Sequence, residues 1–322
     1  MFESQLRDTI LNAADASGFE GKERIQSLWD GYGEILRVGL EGSPHPSVIV
    51  KHIRWPDRKK SRSSERSHQR KVRSYQVEMN WYEKYSSRCT ELCRVPRFLG
   101  RKVLKGEVLF VLEDLDRAGY SGRKNRASMS DARVCLEWLA GFHARFMGER
   151  PEGLWKTGTY WHLATRPDEL KRLEDTALRN AASAIDRKLK SSPFQTFVHG
   201  DAKLANFCFS RDGRNAAAVD FQYVGGGCGM KDVAYLAGSC FDEHGAQRME
   251  KEILDFYFKA LRRALSQRGF ECDTDELEKD WRSLYPVAWT DFHRFLKGWA
   301  HGHWPSGCYS ERVARKVASQ LS

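Results

Sequence analysis

The chain has 322 residues, of which 41% are hydrophobic, 30% charged and 12% aromatic. That mixture buries a core, excluding wholesale disorder and fibrous structure, and the length suits about two compact units of about 150 residues each. The formal net charge of +10 favours an anionic partner, yet residues 54–73 carry most of it: nine Lys/Arg stand there against only Asp57 and Glu65.

In chain order, residues 2–16 are expected to form a helix. Residues 24–29 and 35–40 read as strands around a glycine turn, Asp30-Gly31-Tyr32-Gly33-Glu34. Residues 48–53 make another apolar strand, with Lys51 in its middle. The basic run 54–73 has almost no apolar residue and reads as a mobile loop, so a nucleic-acid role would rest on that loop alone and is not expected. A helix at 74–87 places Glu78, Trp81 and Tyr82 at helical offsets. Strands at 95–99 and 103–112 follow, and Glu113-Asp114-Leu115-Asp116 ends the sheet.

From there the pattern is mainly helical, with helices at 130–147, 167–190, 245–267 and 274–299. Short strand-like pieces at 194–198, 206–210 and 216–221 interrupt them, the last two joined through Arg211-Asp212-Gly213-Arg214, a hairpin signal. Eight scattered cysteines without a CxxC pair read as reduced thiols. With no apolar stretch of signal or spanning length, a cytoplasmic protein without a membrane span is expected.

The chemistry concentrates in residues 197–206, Phe-Val-His-Gly-Asp-Ala-Lys-Leu-Ala-Asn, followed by the hairpin and Val219-Asp220-Phe221. Asp201, Asn206 and Asp220 converge at one mouth if the hairpin closes. Asn206 and Asp220 offer hard oxygen ligands suited to Mg²⁺, which leaves Asp201 to orient or deprotonate a hydroxyl. Phosphoryl transfer asks for this division of labour. Lys51 needs a partner for a charge on an apolar strand, and Glu78 or Glu83 on the next helix can supply it. Gly31 and Gly33 let backbone N–H groups approach phosphates.

His199-Gly200-Asp201 through Asn206, with Asp220-Phe221-Gln222 beyond it, resembles the kinase-like fold of the aminoglycoside phosphotransferase and choline kinase superfamily. Asp220-Phe221-Gln222 and Leu112-Glu113-Asp114-Leu115 are most similar to its ecdysteroid-kinase-like branch, as is Leu139-Ala140-Gly141-Phe142-His143-Ala144 to a helix behind the catalytic loop. The resemblance implies an α+β, two-lobed protein-kinase-like fold, with a β-rich N-lobe (1–115) and a mainly helical C-lobe (116–322). It implies an ATP- and Mg²⁺-dependent kinase acting on a hydroxyl of a small molecule. Asp201 would be the catalytic base, Asn206 and Asp220 the Mg²⁺ ligands, Lys51 the phosphate clamp with Glu78 its partner, and Glu113 to Leu115 the backbone that meets adenine. His199 would brace the loop and Asp232 would tie it down. Lys203 would reach the γ-phosphate or face solvent. ATP and GTP stay open as donors, as do the acceptor and the oligomeric state.

Two rivals differ in acceptor or class. A protein Ser/Thr kinase is favoured by Lys203 and opposed by the short segment between Asp220 and Asp232. A catalytically weak nucleotide- or nucleic-acid-binding module would use the basic run. The glycine segment 225–229 reads as a flexible lining of the acceptor site, and the aromatic stretch Trp281 to Trp304 as core or as acceptor wall, with Asp291 available to pair with a cationic acceptor or to hydrogen-bond a hydroxyl.

Overall fold

The computed structural model describes residues 4–28, 31–55, 65–300 and 307–321. Helix α1 (Ser4–Ala13) precedes strands β1 (Gly18–Ser27), β2 (Gly33–Glu41) and β3 (Ser47–Arg54). Helix α2 (Glu65–Lys84) leads to β4 (Phe98–Leu104) and β5 (Glu107–Glu113), which close an antiparallel five-stranded sheet in the order β1-β2-β3-β5-β4. Alternation along the strands gives this sheet two purposes. Leu36, Val38, Leu40, Val48, Val50, Leu109 and Val111 pack with Leu6 and Ile10 of α1 on one face. The intervening Ile35, Arg37, Ile49 and Lys51 turn to the other face, where they line a cavity.

The rest is mainly helical: α3 (Met129–Arg145), α4 (Pro167–Arg172), α5 (Thr176–Lys190), then short strands β6 (Thr196–Val198), β7 (Phe207–Phe209), β8 (Ala216–Ala218) and β9 (Gly225–Gly227). Helices α6 (Met230–Cys240), α7 (Glu243–Arg268), α8 (Thr274–Trp299) and α9 (Tyr309–Leu321) follow. The mixed α+β class expected from the sequence is observed. A run of aromatic contacts joins the two halves. Trp81 of α2 stacks on Phe221 at 4.5 Å between centroids, and Phe221 meets His199 at 4.6 Å. Among the described residues no helix is long and apolar enough to cross a membrane, and all eight cysteines are free.

Several boundaries depart from the sequence reading. The basic run is not wholly a loop: α2 begins at Glu65, while residues 56–64 lie outside the described residues. Its inward stripe is Ser67, Arg70, Lys71, Tyr75 and Glu78, at helical spacing but polar, because it faces a polar cavity and not a core. An apolar-periodicity search misses such a helix. The helix expected over 167–190 is broken, because Leu173 is extended (ψ 111°) and Asp175 starts α5 anew by accepting the Leu178 N–H. Residues 225–227 are a strand paired with β6 and not a flexible lining. A Cβ at Gly225 would fall 2.2 Å from the Trp155 carbonyl oxygen, so glycine serves close backbone approach there.

Candidate active site

A cavity of about 1410 Å³ lies between the sheet and the helical half. That exceeds the usual volume for one small ligand, about 300–1,000 Å³, and leaves room for two. The sheet side contributes Lys51, whose Nζ donates to both Glu78 carboxylate oxygens at 2.6 and 2.9 Å. Glu83 instead pairs with Arg101 at 3.0 Å. On α2, Glu78 and Trp81 are three residues apart and share a face. The helix that holds Glu78 against Lys51 therefore also stacks on Phe221, next to Asp220. Lys51 lies 3.7 Å from the Asp220 carboxylate. Burial alone would lower the Lys51 ammonium, but Glu78 and Asp220 overcome it and raise it, so the lysine is charged. Burial pushes the Glu78 carboxyl up to about 7 against the pull of Lys51.

The segment after β6 is pinned from beneath. Asp232, near the start of α6, accepts the His199 and Gly200 backbone N–H groups at 2.5 and 3.0 Å, and His143 approaches it at 3.2 Å. His199 Nε2 reaches the Val219 carbonyl at 3.0 Å and its Nδ1 accepts the Asp201 N–H at 3.2 Å, joining the two loops that carry the carboxylates. Asp201 itself is nearly enclosed. Tyr235 donates to its Oδ1 at 3.1 Å; Asn206 Nδ2 and Lys203 Nζ donate to its Oδ2 at 3.1 and 3.2 Å. Burial, with Asp220 adding to it, raises the Asp201 carboxyl against the pull of Lys203.

Asp220 differs. Its side chain is 35% exposed, so it is reachable from the cavity. Gln222 donates to its Oδ1 at 2.7 Å, while Ser74 holds the Gln222 carbonyl at 3.2 Å. Burial is outweighed by Lys51, Lys203 and His199, which hold Asp220 below the usual carboxylate range. Its φ of +69° is uncommon for a residue other than glycine, and so is the +96° of the β-branched Thr159, whose N–H bonds the Tyr223 carbonyl. Backbone strain of this kind collects where surrounding structure fixes a functional geometry. Among the described residues no cluster of three or more His, Cys, Asp or Glu is suited to a metal ion. The donors present, one carboxylate and one amide oxygen, fit an ion that takes its remaining oxygens from phosphates and water, as Mg²⁺ does.

At the end of the sheet, Glu113 pairs with Arg94 at 2.6 Å and Asp114 accepts from Arg37 at 2.8 Å and Ser47 at 2.6 Å. The Glu113 N–H goes to the Arg97 carbonyl and the Leu115 carbonyl accepts from Tyr120. Glu113 and Leu115 line the cavity, with Leu28 and Ile35 from β1, β2 and their turn. Gly31 and Gly33 do not line it. Gly33 (φ +125°) is required by strand approach, since a Cβ there would meet the His52 carbonyl oxygen at 2.0 Å.

Tyr160, Arg166, Tyr223, Tyr235, Arg70 and Lys71 also line the cavity and escaped the sequence reading. Tyr235 had a signal: it stands three residues after Asp232, on the same helix face. Asp291, expected to be available to a cationic acceptor, is fully engaged instead. It is bound by Arg294 at 2.9 Å and by the Trp161 indole at 3.1 Å, with Lys231 at 3.7 Å.

The profile of the ecdysteroid kinase-like family matches residues 153–270, the segment that spans Asp201 to Asp232. An aminoglycoside phosphotransferase of Streptomyces rimosus, solved with ADP and streptomycin, superposes with a TM-score of 0.50 at 18% identity, covering 90% of this chain and 100% of that one. The fold is that of the kinase-like superfamily. An amicoumacin kinase solved with AMP-PNP, Ca²⁺ and Ami gives a TM-score of 0.50 at 13% identity, covering 99% of this chain and 93% of the other. No curated protein matches the chain.

Proposed function

We propose that this kinase-like chain transfers the γ-phosphoryl group of ATP to a hydroxyl of a small molecule. The observation that carries the reading is the convergence of Lys51, Asp201, Asn206 and Asp220 on one cavity large enough for donor and acceptor together. In this reading the sheet-side half takes the nucleotide. The base lies against Leu28, Ile35 and Leu112, with the Leu115 N–H toward its edge, and Lys51, fixed by Glu78, holds the phosphates. Asn206 and Asp220 hold Mg²⁺, which supplies charge neutralisation to the phosphate oxygens.

Asp201 orients the acceptor. Its raised carboxyl takes the hydroxyl proton as the oxygen bonds to the γ-phosphorus and the bond to the β,γ-bridging oxygen breaks, which releases ADP and leaves a phosphate monoester. Lys203, donating to Asp201 Oδ2 and 40% exposed, offsets the charge that Asp201 and the incoming phosphate bring together. The two-unit division at 115/116 follows the same reading, with donor contacts mainly before it and the acid–base group after it.

The test is calorimetric titration of ATP, and of GTP in parallel, with and without Mg²⁺, into wild type and Asp220→Ala. Micromolar binding that needs both Mg²⁺ and Asp220 is the expected result. An affinity indifferent to both would remove the phosphotransfer reading.

A further inference from the structure

The acceptor end of the cavity is unusual in its charge. Tyr160, Phe295 and Trp299 give it aromatic walls, and Trp299 is 57% exposed although stacked on Phe295 at 6.1 Å. Three cations share this end: Arg70 and Lys71 from α2, and Arg166 just before α4. Arg166 lies over the Tyr160 ring at 6.0 Å and the Phe295 ring at 5.9 Å. Arg70 donates to Ser67 at 3.0 Å, and its Nε is buried with no hydrogen-bond partner. Among the described residues neither Arg70 nor Lys71 has a carboxylate within ion-pair distance; Glu169, which acts on Arg70, pairs through Oε1 with Arg166 at 3.4 Å and Arg172 at 3.6 Å, and the acid that acts on Lys71 is Asp220. Burial, with Arg166 adding to it, lowers the Arg70 guanidinium. Burial also lowers the Lys71 ammonium, helped by Lys51, Arg166 and Arg70 and opposed by Asp220.

Half-buried cations without counter-charge are costly unless a ligand supplies one. A cationic acceptor would add to that cost, since Asp291 is already neutralised by its own neighbours and Glu169 is paired through Oε1 with two arginines. We propose that the acceptor is an alcohol that also carries an anionic group, a carboxylate or a phosphate- or sulfate-type oxyanion, seated between Arg70 and Arg166 while its ring system packs on Tyr160, Phe295 and Trp299. This rests on the small-molecule kinase reading for the hydroxyl and goes beyond it for the charge. Planar guanidinium groups suit two-oxygen recognition of such an anion, and the two arginines come from separate elements, α2 and the segment just before α4.

The test uses 8-anilinonaphthalene-1-sulfonate and N-phenyl-1-naphthylamine, the same rings with and without the anion, titrated by fluorescence into the full chain saturated with Mg·AMP-PNP. The sulfonate is expected to bind about tenfold tighter than the neutral probe, the scale of one charge-assisted hydrogen bond. Arg70→Gln should erase that preference and leave the neutral probe unmoved, and Arg166→Gln should do the same. Equal affinity of the two probes, or a preference that survives both substitutions, overturns the proposal. If Mg·AMP-PNP itself displaces the sulfonate, these cations serve the donor phosphates and the proposal also falls. The kinase reading fails separately, by loss of Mg·AMP-PNP binding to wild type in the calorimeter, a result that leaves the probe titration in nucleotide-free protein still readable.

Discussion

The two ends of the cavity are built on opposite terms. At the sheet end every acid has its base: Lys51 with Glu78, Arg94 with Glu113, and Arg37 with Asp114. Burial would raise Glu113 and Asp114, yet Arg94 and Arg37 hold both below the usual carboxylate range. At the helical end aromatic rings alternate with Arg70 and Lys71, which have no such matching. A site whose charges are already balanced is pre-organised for one constant ligand. A site with surplus charge waits for its ligand to complete it. On the proposed phosphotransfer reading, the donor and the acceptor pose these two problems.

The sharpest way to break this contrast is at the boundary between the ends. Asp201→Asn should reduce turnover by about 10²–10⁴-fold, the usual worth of a positioned general base. Nucleotide affinity should stay unchanged, because Asp201 bonds Tyr235, Asn206 and Lys203 and none of the sheet residues. Steady-state kinetics beside calorimetry separates the two, and full activity in the variant would remove Asp201 from the chemistry.

The sheet end responds differently. Glu78→Gln leaves a buried ammonium without its carboxylate, and breaking a buried pair from one side costs about 3–5 kcal/mol. Denaturant unfolding should show that loss, together with weakened nucleotide binding. With Glu78 pushed up to about 7, the carboxylate form prevails above that pH, and protonation frees Lys51 as pH falls through it. Activity of the wild type should therefore fall on the acidic side of neutrality, and a flat profile from pH 6 to 8 would break the link between pair and activity.

The same contrast explains what could be read from the sequence. That Lys51, Asp201, Asn206 and Asp220 come together was legible because their residues lie in contiguous pieces with few interpretations: Lys51 on an apolar strand, Asp201 to Asn206 in six residues, Asp220 just after a strand. The helical end is assembled from single residues of distant elements: Phe295 and Trp299 lie in the aromatic stretch that the sequence offered as core or acceptor wall, but Tyr160, Tyr223 and Tyr235 have a spacing that matches ordinary core packing. Arg70 and Lys71 were hidden more thoroughly, because a helix face turned to a polar cavity has no apolar stripe to betray it. Gly225 to Gly227 misled for a related reason: glycine serves both flexible loops and tightly apposed strands, and only the neighbouring Trp155 distinguishes them.

A smaller change probes the seam itself. Tyr235→Phe removes the O–H that donates to Asp201 Oδ1 at 3.1 Å and leaves the ring packed against Trp161 and Phe292. A bond to a charged acceptor favours the ionised form, so its loss raises Asp201 further. We expect about a tenfold drop in kcat/KM, an acidic limb moved to higher pH, and no change in nucleotide affinity. A variant with wild-type kinetics and pH profile would make Tyr235 a packing residue only.

The mildest perturbation reaches the acceptor end through its scaffold. Asp175 caps α5 and pairs with Lys297 of α8 at 2.7 Å and Arg315 of α9 at 2.6 Å, bracing the last turn of the helix that ends in Trp299. Burial would raise its carboxyl, but Lys297, Arg315 and the Leu178 N–H lower it to about 2. An acid lowered in the folded state contributes stability above its ordinary value near 4, and that contribution disappears as pH falls toward 2. Asn caps a helix as well as Asp does, so Asp175→Asn isolates the charge. We expect a loss of about 1 kcal/mol at pH 7 that shrinks to nothing near pH 2. Because the brace lies under α8 and not under the sheet, acceptor KM should rise slightly while nucleotide affinity holds. Equal weakening of both ligands would mean that the two ends of the cavity are mechanically one.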